Sequence, residues 1–405
     1  MSIIDLLDDK NIWEDFLSYK QDKGHLTKRD EDSLRVLMES EGYFSVARLI
    51  KQGIPLPPPQ KILLNKLGTE KKRTVYCFDD EVMWTIKLLA WLLYRFDDKQ
   101  PNGCYSFRRN YGAHRAFADI ARTPGINGLW CCKLDISNYF NSIDVSKLLP
   151  VIRELLAEDT ALCDFFELFL TADAAFFGDV LLTEKRGVMA GTPTAPFLAN
   201  LYLRKLDFWF IERGGPYARY SDDIIFFASS KDELLDCRKQ ALRIIEEHGL
   251  EINQKKAYIA APGEAWEFLG MSYQAGVIDL SEATKAKLKG KIRRKARALR
   301  RWMIRKDASP ERAQRAFIRS FNRKFYDSHN TNDLTWARWF FPLLTTSDSI
   351  HEIDHYLQQY VRYISTGRFN AANYRFDYQD IKRLGYRSLV HEYYLSRKNQ
   401  AVDNA

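Results

Sequence analysis

The chain has 405 residues, 46% of them apolar, and a formal net charge of +8. That apolar content excludes a globally disordered chain, and the length suits two or three structural units. The charge is uneven: residues 285–306, KAKLKGKIRRKARALRRWMIRK, hold 12 Lys and Arg and no acid, so the basicity marks one surface suited to a polyanion.

No apolar run reaches membrane-spanning length; the best, WTIKLLAWLLY at 84–94, is short and carries Lys87. The opening MSIIDLLDDK has no basic stretch followed by an apolar one, so it does not read as a secretory signal. The six cysteines form no C-x-x-C pair and are expected to be reduced thiols of a cytoplasmic protein. No phosphate-cradling G-x-x-x-x-G-K-[ST] and no dinucleotide-binding G-x-G-x-x-G is present.

In chain order, residues 1–53 read as short helices, and IPLPPPQ (54–60) is an extended Pro-rich break. KKRTVYCFDDEVMWTIKLLAWLLYRF (71–96) reads as a basic strand or hairpin running into a helix. LWCCKLDISNYF (129–140) is a buried strand ending in a polar turn, and 144–172 carries helical apolar spacing. GVMAGTPTAPFLANLYLRKLDFWF (187–210) is a Gly/Pro turn feeding a long helix. YARYSDDIIFF (217–227) has the pattern of a hairpin, followed by a helix at 231–248 and two short strands around LEINQKKAYI and WEFLGMSY. From 281 onward the pattern is mostly helical. Leu288, Ile292, Ala296, Leu299 and Met303 define one apolar face within the basic segment. Lys291, Arg293, Arg294, Lys295, Arg297 and Arg301 surround that face and are candidates for nucleic-acid contact.

The chemistry concentrates in carboxylates. Asp135 ends an apolar strand, and Asp222–Asp223 sit at a hairpin tip between two apolar arms. Asp is an ordinary turn residue, yet one strand-end aspartate with a hairpin pair is also what a two-metal site requires. Mg²⁺ takes hard oxygen ligands, and two such ions stabilise the attacking and leaving oxygens of an in-line displacement.

KLDISNYF, AGTPTAPFLANLYL, RYSDDIIFF, GLEINQKKA and WEFLG occur in the order of reverse-transcriptase motifs A to E. Over roughly residues 55–275 the chain resembles bacterial reverse transcriptases of the group II intron, retron and defence-associated lineages. The resemblance implies an α+β right-hand polymerase fold, with fingers, a palm built on an antiparallel sheet, and a helical thumb. It places a helical N-terminal extension at 1–60, fingers at 61–128, and the palm at 129–280 with an interleaved fingers segment at about 150–195. The basic helical thumb and C-terminal region would occupy 281–405. It implies RNA-directed DNA synthesis with two Mg²⁺ ions (Mn²⁺ as substitute), dNTPs, an RNA template and a DNA product. Asp135, Asp222 and Asp223 would be the metal ligands, with Tyr220 heading the Y-x-D-D signature. Phe140 would crowd the sugar 2′ position, and Lys256, with Lys255 as its rival, would protonate pyrophosphate. Arg108, with Arg109 behind it, and more weakly Lys72 and Arg73, would meet the triphosphate. Gly191 and Pro196 carry motif B, and Gly270 lies in the primer-grip turn.

Motif B departs from Q-G-x-x-x-S-P: Ala190 and Ala195 replace its glutamine and serine. The retron-associated V-T-G tripeptide and a His/Cys-rich endonuclease module are absent. These departures favour a free-standing defence-associated enzyme acting on a dedicated non-coding RNA. An intron- or retron-type enzyme, untemplated DNA synthesis and a non-catalytic RNA-binding scaffold are the alternatives. HEIDH (351–355) fits H-E-x-x-H, but without a third ligand it reads as a helix surface bearing two histidines. Tyr374, Tyr378, Tyr386, Tyr393 and Tyr394 make the tail tyrosine-rich. Each could supply a priming hydroxyl, and each also suits ordinary helix packing.

Overall fold

The structure, a computed structural model, describes residues 1–23, 26–65, 72–327 and 335–403. Lys71, at the head of the basic strand motif, lies outside them. The chain divides into two compact units, Met1–Pro262 and Gly263–Ala405.

The first unit opens with α1 (Lys10–Asp22), α2 (Lys28–Glu39) and α3 (Tyr43–Lys51). Asp9 and Thr27 cap the first two by accepting backbone N–H bonds at their N-termini. These helices close around Trp13, whose ring lies 4.9 Å from that of Tyr43. The strands β1 (Gln60–Asn65) and β2 (Lys72–Cys77) form an antiparallel pair and lead into α4 (Asp80–Leu92). β1 is an addition to the expected basic strand. Its Ile62, Leu63 and Leu64 are all exposed, so it has no alternating apolar pattern to reveal it. After α5 (Ala113–Ala121) come β3 (Trp130–Asp135), the short α6 (Tyr139–Ser142), α7 (Val145–Leu155) and α8 (Thr160–Thr171). A hairpin of β4 (Ala174–Phe177) and β5 (Val180–Thr183) completes a sheet of order β2-β1-β4-β5.

Within 187–210 the expected Gly/Pro turn is present, but the long helix it feeds is interrupted. Residues 187–194 are loop, and α9 (Ala195–Tyr202) ends at Leu203 before α10 (Arg204–Arg213) begins. β6 (Tyr217–Tyr220), β7 (Asp223–Ala228), α11 (Lys231–Glu247) and β8 (Tyr258–Ala260) follow. The central sheet has order β6-β7-β3-β8 with every pair antiparallel. α11 packs on β3 and β7. Ile224, Ile225, Phe226 and Phe227 of β7 are all buried, as are Cys131, Cys132 and Leu134 of β3. These apolar runs, broken in β3 by Lys133, make both strands core strands and fix where the chain turns polar again.

The second unit holds a three-stranded antiparallel sheet, β9 (Trp266–Phe268), β10 (Met271–Gln274) and β11 (Val277–Leu280). At the β9–β10 turn Gly270 has φ +88°, and a Cβ there would lie 2.9 Å from Thr284 Oγ1, so glycine is required. Among the described residues six α-helices follow: α12 (Glu282–Arg305), α13 (Pro310–Phe325), α14 (Trp336–Phe340), α15 (Asp348–Thr366), α16 (Tyr378–Arg383) and α17 (Leu389–Asp403). α12 buries Leu288, Ile292, Ala296 and Met303 against α13 and α15, and Leu299 is half-buried. Lys291, Arg293, Arg294, Lys295, Arg297 and Arg301 are all exposed.

Among the described residues no helix is long and apolar enough to cross a membrane. All six cysteines are free; Cys77 is exposed and the rest are buried. Burial pushes the Cys132 thiol up to about 12, which leaves it unreactive at neutral pH.

Candidate active site

β3 and β7 pair in a register that sets Asp135 directly opposite Asp223. Tyr220 pairs with Asp223 to close the hairpin, leaving Ser221 and Asp222 as its two-residue tip. Ser221 has φ +60°, the first-position geometry of a type II′ loop and one that favours glycine. Two bonds hold it there: its N–H donates to Ser106 Oγ at 2.9 Å, and its carbonyl accepts from Arg219. The Asp222 carbonyl accepts from Ile136 N at 3.0 Å, which ties the tip to the end of β3. The turn therefore presents two carboxylates beside a third.

The three carboxylates differ in surroundings. Asp135 is 2% exposed, with Oδ2 accepting from Lys256 Nζ at 2.6 Å and Oδ1 from Asn253 Nδ2 at 3.1 Å. Asp223 lies 3.5 Å from Lys133 Nζ. Burial, with the charges of Asp223 and Asp135, holds the Asp222 carboxyl above its ordinary range. Burial works to lower the Lys256 pKa, but the bond to Asp135 and the charges of all three aspartates outweigh it and hold the ammonium up.

Carboxylate oxygens are hard donors of the kind a divalent cation takes. Among the described residues no three such side chains are gathered closely enough to hold an ion as they stand. Asp135 and Asp223 are engaged by Lys256 and Lys133 instead. The donor set fits a metal, and the two lysines occupy the carboxylates it would use.

Behind the hairpin lies a pair absent from the expectations. Arg219 and Asp207 are fully buried, joined by Nε–Oδ1 at 2.8 Å and Nη2–Oδ2 at 2.5 Å. The Tyr217 hydroxyl donates to the same Asp207 at 2.6 Å. Residues 103–105 run along β6, with Arg219 N donating to the Gly103 carbonyl and Tyr105 N to the Arg219 carbonyl. This path brings Phe107 to within 6.0 Å of the Tyr220 ring and 6.3 Å of the Phe140 ring. Phe107 thus packs against two expected site residues, Tyr220 and Phe140.

Arg108 lies against the 97–104 loop. It is 7% exposed, and its guanidinium donates to the carbonyls of Asp97, Pro101 and Cys104 while lying 3.9 Å over the Tyr111 ring. A buried guanidinium engaged by three carbonyls organises the 97–111 loop, with its Nε left without a partner among the described residues. Arg109 is exposed, with its backbone N–H on Asp97. Lys72 and Arg73 are exposed on β2, whose Tyr76 N donates to the Ala190 carbonyl at 2.8 Å. The strand therefore abuts the motif B loop. Gly191 has φ +105°, and a Cβ there would stand 3.0 Å from the Tyr76 carbonyl. Ala190 N bonds Asn141 Oδ1 at 3.1 Å, so this loop is anchored through its backbone. Pro196 opens α9 and, with Phe107 and Pro193, lines a cavity of about 240 Å³.

Residues 86–273 match the reverse transcriptase (RNA-dependent DNA polymerase) family. This chain carries a reverse transcriptase domain. The α+β fold expected of a right-hand polymerase agrees with that match and with the antiparallel sheet that bears the carboxylates. The retron Ec86 reverse transcriptase of Escherichia coli is 26% identical over 234 residues, 56% of this chain and 67% of that enzyme. The retron Mx65 reverse transcriptase of Myxococcus xanthus is 29% identical over 117 residues, 28% of this chain and 27% of that enzyme. The polymerase region is thus retron-like, although the retron-associated V-T-G is missing. Among solved structures, apo telomerase from Candida tropicalis aligns over 60% of each chain at 14% identity and a TM-score of 0.44. Telomerase from Candida albicans, complexed with a fragment of telomeric RNA, aligns over 82% of this chain and 62% of that one, at 14% identity and a TM-score of 0.42.

In the second unit HEIDH falls on α15, with His351 and His355 exposed. Glu352 is held by Lys285 and Lys289 of α12 and is therefore an ion-pair residue.

Proposed function

We propose that this chain is an RNA-directed DNA polymerase that copies a dedicated non-coding RNA in bacterial anti-phage defence. The observation that carries the polymerase reading is the register of Asp135 opposite Asp223 with Asp222 at the adjoining tip, inside a reverse transcriptase domain.

In this reading Asp135, Asp222 and Asp223 hold two divalent ions, Mg²⁺ by preference and Mn²⁺ as substitute. Bound there, such ions neutralise the attacking and leaving oxygens of an in-line displacement. The primer 3′-hydroxyl gives its proton to solvent as its oxygen attacks the α-phosphorus of a dNTP, the bond to pyrophosphate breaks, and the Lys256 ammonium donates its proton to the leaving oxygen. Phe140, walled by Phe107, excludes a ribose 2′-hydroxyl. Lys72 and Arg73 meet the triphosphate beside the Gly191 loop, where Pro196 shapes the neighbouring wall. The exposed row from Lys291 to Arg301 on α12 contacts the phosphate backbone of template and product.

The test has two parts. Primer extension on an RNA template with dNTPs and Mg²⁺ should proceed with the wild type and fail with Asp222→Ala. Nucleic acid copurifying with each protein, from cells with and without phage, should contain RNA in both and complementary DNA only in the wild type. RNA without DNA under all conditions would overturn the polymerase reading in favour of a binding scaffold. DNA unrelated to the bound RNA would replace templated with untemplated synthesis.

A further inference from the structure

The second unit holds a cavity of about 370 Å³ between the C-terminal half of α15 and the 369–374 turn, beyond the matched domain. Gln359, Arg362, Phe369, Asn373 and Tyr374 line it. Its size falls within the range of small-ligand sites, about 300–1,000 Å³.

One buried acceptor at the cavity is unpartnered, and the guanidinium beside it is only partly bonded. Arg362 is 6% exposed and Asn373 is 7% exposed. Arg362 Nε donates to the Phe376 carbonyl at 2.8 Å, while its terminal nitrogens make no hydrogen bond to a described residue. Asn373 Nδ2 donates to the Arg368 carbonyl at 2.6 Å, yet its Oδ1 is buried with no partner among the described residues. A buried acceptor left open is uncommon and calls for an explanation.

Aromatic rings stand beside these groups. Phe369 and Tyr374 are 57% and 53% exposed. Phe369 stacks on Tyr363 at 4.9 Å, and the Arg362 guanidinium lies 5.0 Å over the Tyr374 ring. Exposed Arg368 and Arg375 flank the turn, and Asp377 is the carboxylate whose charge acts on Arg362. α15 itself packs against basic α12.

We propose that this cavity captures one unpaired nucleobase of a single-stranded nucleic acid. An N–H on the base edge donates to Asn373 Oδ1, and a neighbouring base acceptor receives from Arg362. The base plane lies against Phe369 or Tyr374. Every standard base carries such an adjacent donor and acceptor, and stacking is tolerant of sequence, so the site reads the presence of a base rather than its identity. The choice of a strand over another planar ligand rests on the polymerase reading.

The test uses the full chain without dNTPs and fluorescent 12-nucleotide strands of oligo(rA), oligo(rC), oligo(dA) and an abasic strand of equal length. Wild type should bind the base-bearing strands about 5- to 100-fold more tightly than the abasic one. Tyr374→Ala should remove most of that gap without changing abasic binding or thermal stability, and Tyr374→Phe should restore it. Equal binding of abasic and base-bearing strands by wild type, or a gap untouched by both Tyr374→Ala and Phe369→Ala, would overturn the site. Displacement of bound strand by low-micromolar AMP would replace the strand by a free nucleotide as its ligand. Primer extension by the same preparations separates the two readings: extension with no Tyr374 effect sinks the pocket alone, and base-dependent binding without extension sinks only the polymerase.

Discussion

Asp135 and Asp223 face each other across paired strands, and each already has a lysine: Lys256 at 2.6 Å and Lys133 at 3.5 Å. Unit 1 therefore supplies its own cations to a carboxylate cluster that self-repulsion would otherwise weaken. Metal binding in the proposed reaction competes with these lysines for the same oxygens.

Asp222→Asn should cut primer extension by about 10³-fold or more, the equivalent of several kcal/mol of charge stabilisation. Without divalent ions it should raise the melting temperature, because it removes a carboxylate that burial and two like charges disfavour. A lowered melting temperature would show that the Asp222 charge is stabilising.

That gain has a definite pH dependence. The folded pKa of Asp222 lies above its ordinary value, so the folded state binds the proton more tightly than the unfolded one. The destabilisation is absent below the ordinary carboxylate pKa, grows as pH rises towards the folded value, and is complete above it. The difference in melting temperature between Asp222→Asn and wild type should be largest near neutrality and should vanish on acidification to about pH 4. A constant difference across that interval would refute the assignment.

Lys256→Met should lower stability by about 1–3 kcal/mol in urea unfolding, because the lysine is largely exposed but its loss leaves the buried Asp135 carboxylate without its ammonium partner. As the proton donor it should lower the single-turnover rate by about 10²-fold or more and flatten the alkaline limb of the pH profile. An unchanged limb would return the role to Lys255 or to water.

Arg219→Met should cost about 3–5 kcal/mol in urea unfolding, because it strands a fully buried Asp207. The double variant with Asp207→Leu should recover part of that loss. A double variant no better than the single would mean that the hydrogen bonds of Tyr217 and Ser221 matter more than the charge pair.

Replacing Arg293, Arg294 or Arg297 by Gln should lower the slope of log affinity against log salt by about 0.7–0.9 per residue contacting phosphate. Slopes unchanged by all three replacements would remove this face from nucleic-acid contact.

What the sequence made legible was local. The hairpin, the strand-end aspartate and the apolar face of α12 are each written in fewer than twenty consecutive residues, with turn chemistry or periodicity to mark them. Arg108 and Arg219 were illegible because their roles depend on what packs against them. Alternation along YARY says nothing of Asp207, which arrives from α10. The residues beside Arg108 do not show that the 97–104 loop folds its carbonyls onto it. Lys133 sits within an apolar strand, and only the β3–β7 register shows that it reaches Asp223. The β4–β5 hairpin has four-residue strands, too short for alternation to separate them from helix.

α12 runs for 24 residues without interruption, roughly 36 Å at ~1.5 Å per residue. That is about one turn of a nucleic-acid duplex. In the proposed reaction a growing product would slide past this helix one nucleotide at a time. Contacts made to phosphates alone are equivalent at every step, so the helix would act as a rail without detents. Processivity would then be set by how many charges stay engaged during translocation, and rising salt would shorten the products before it slowed the addition of each nucleotide.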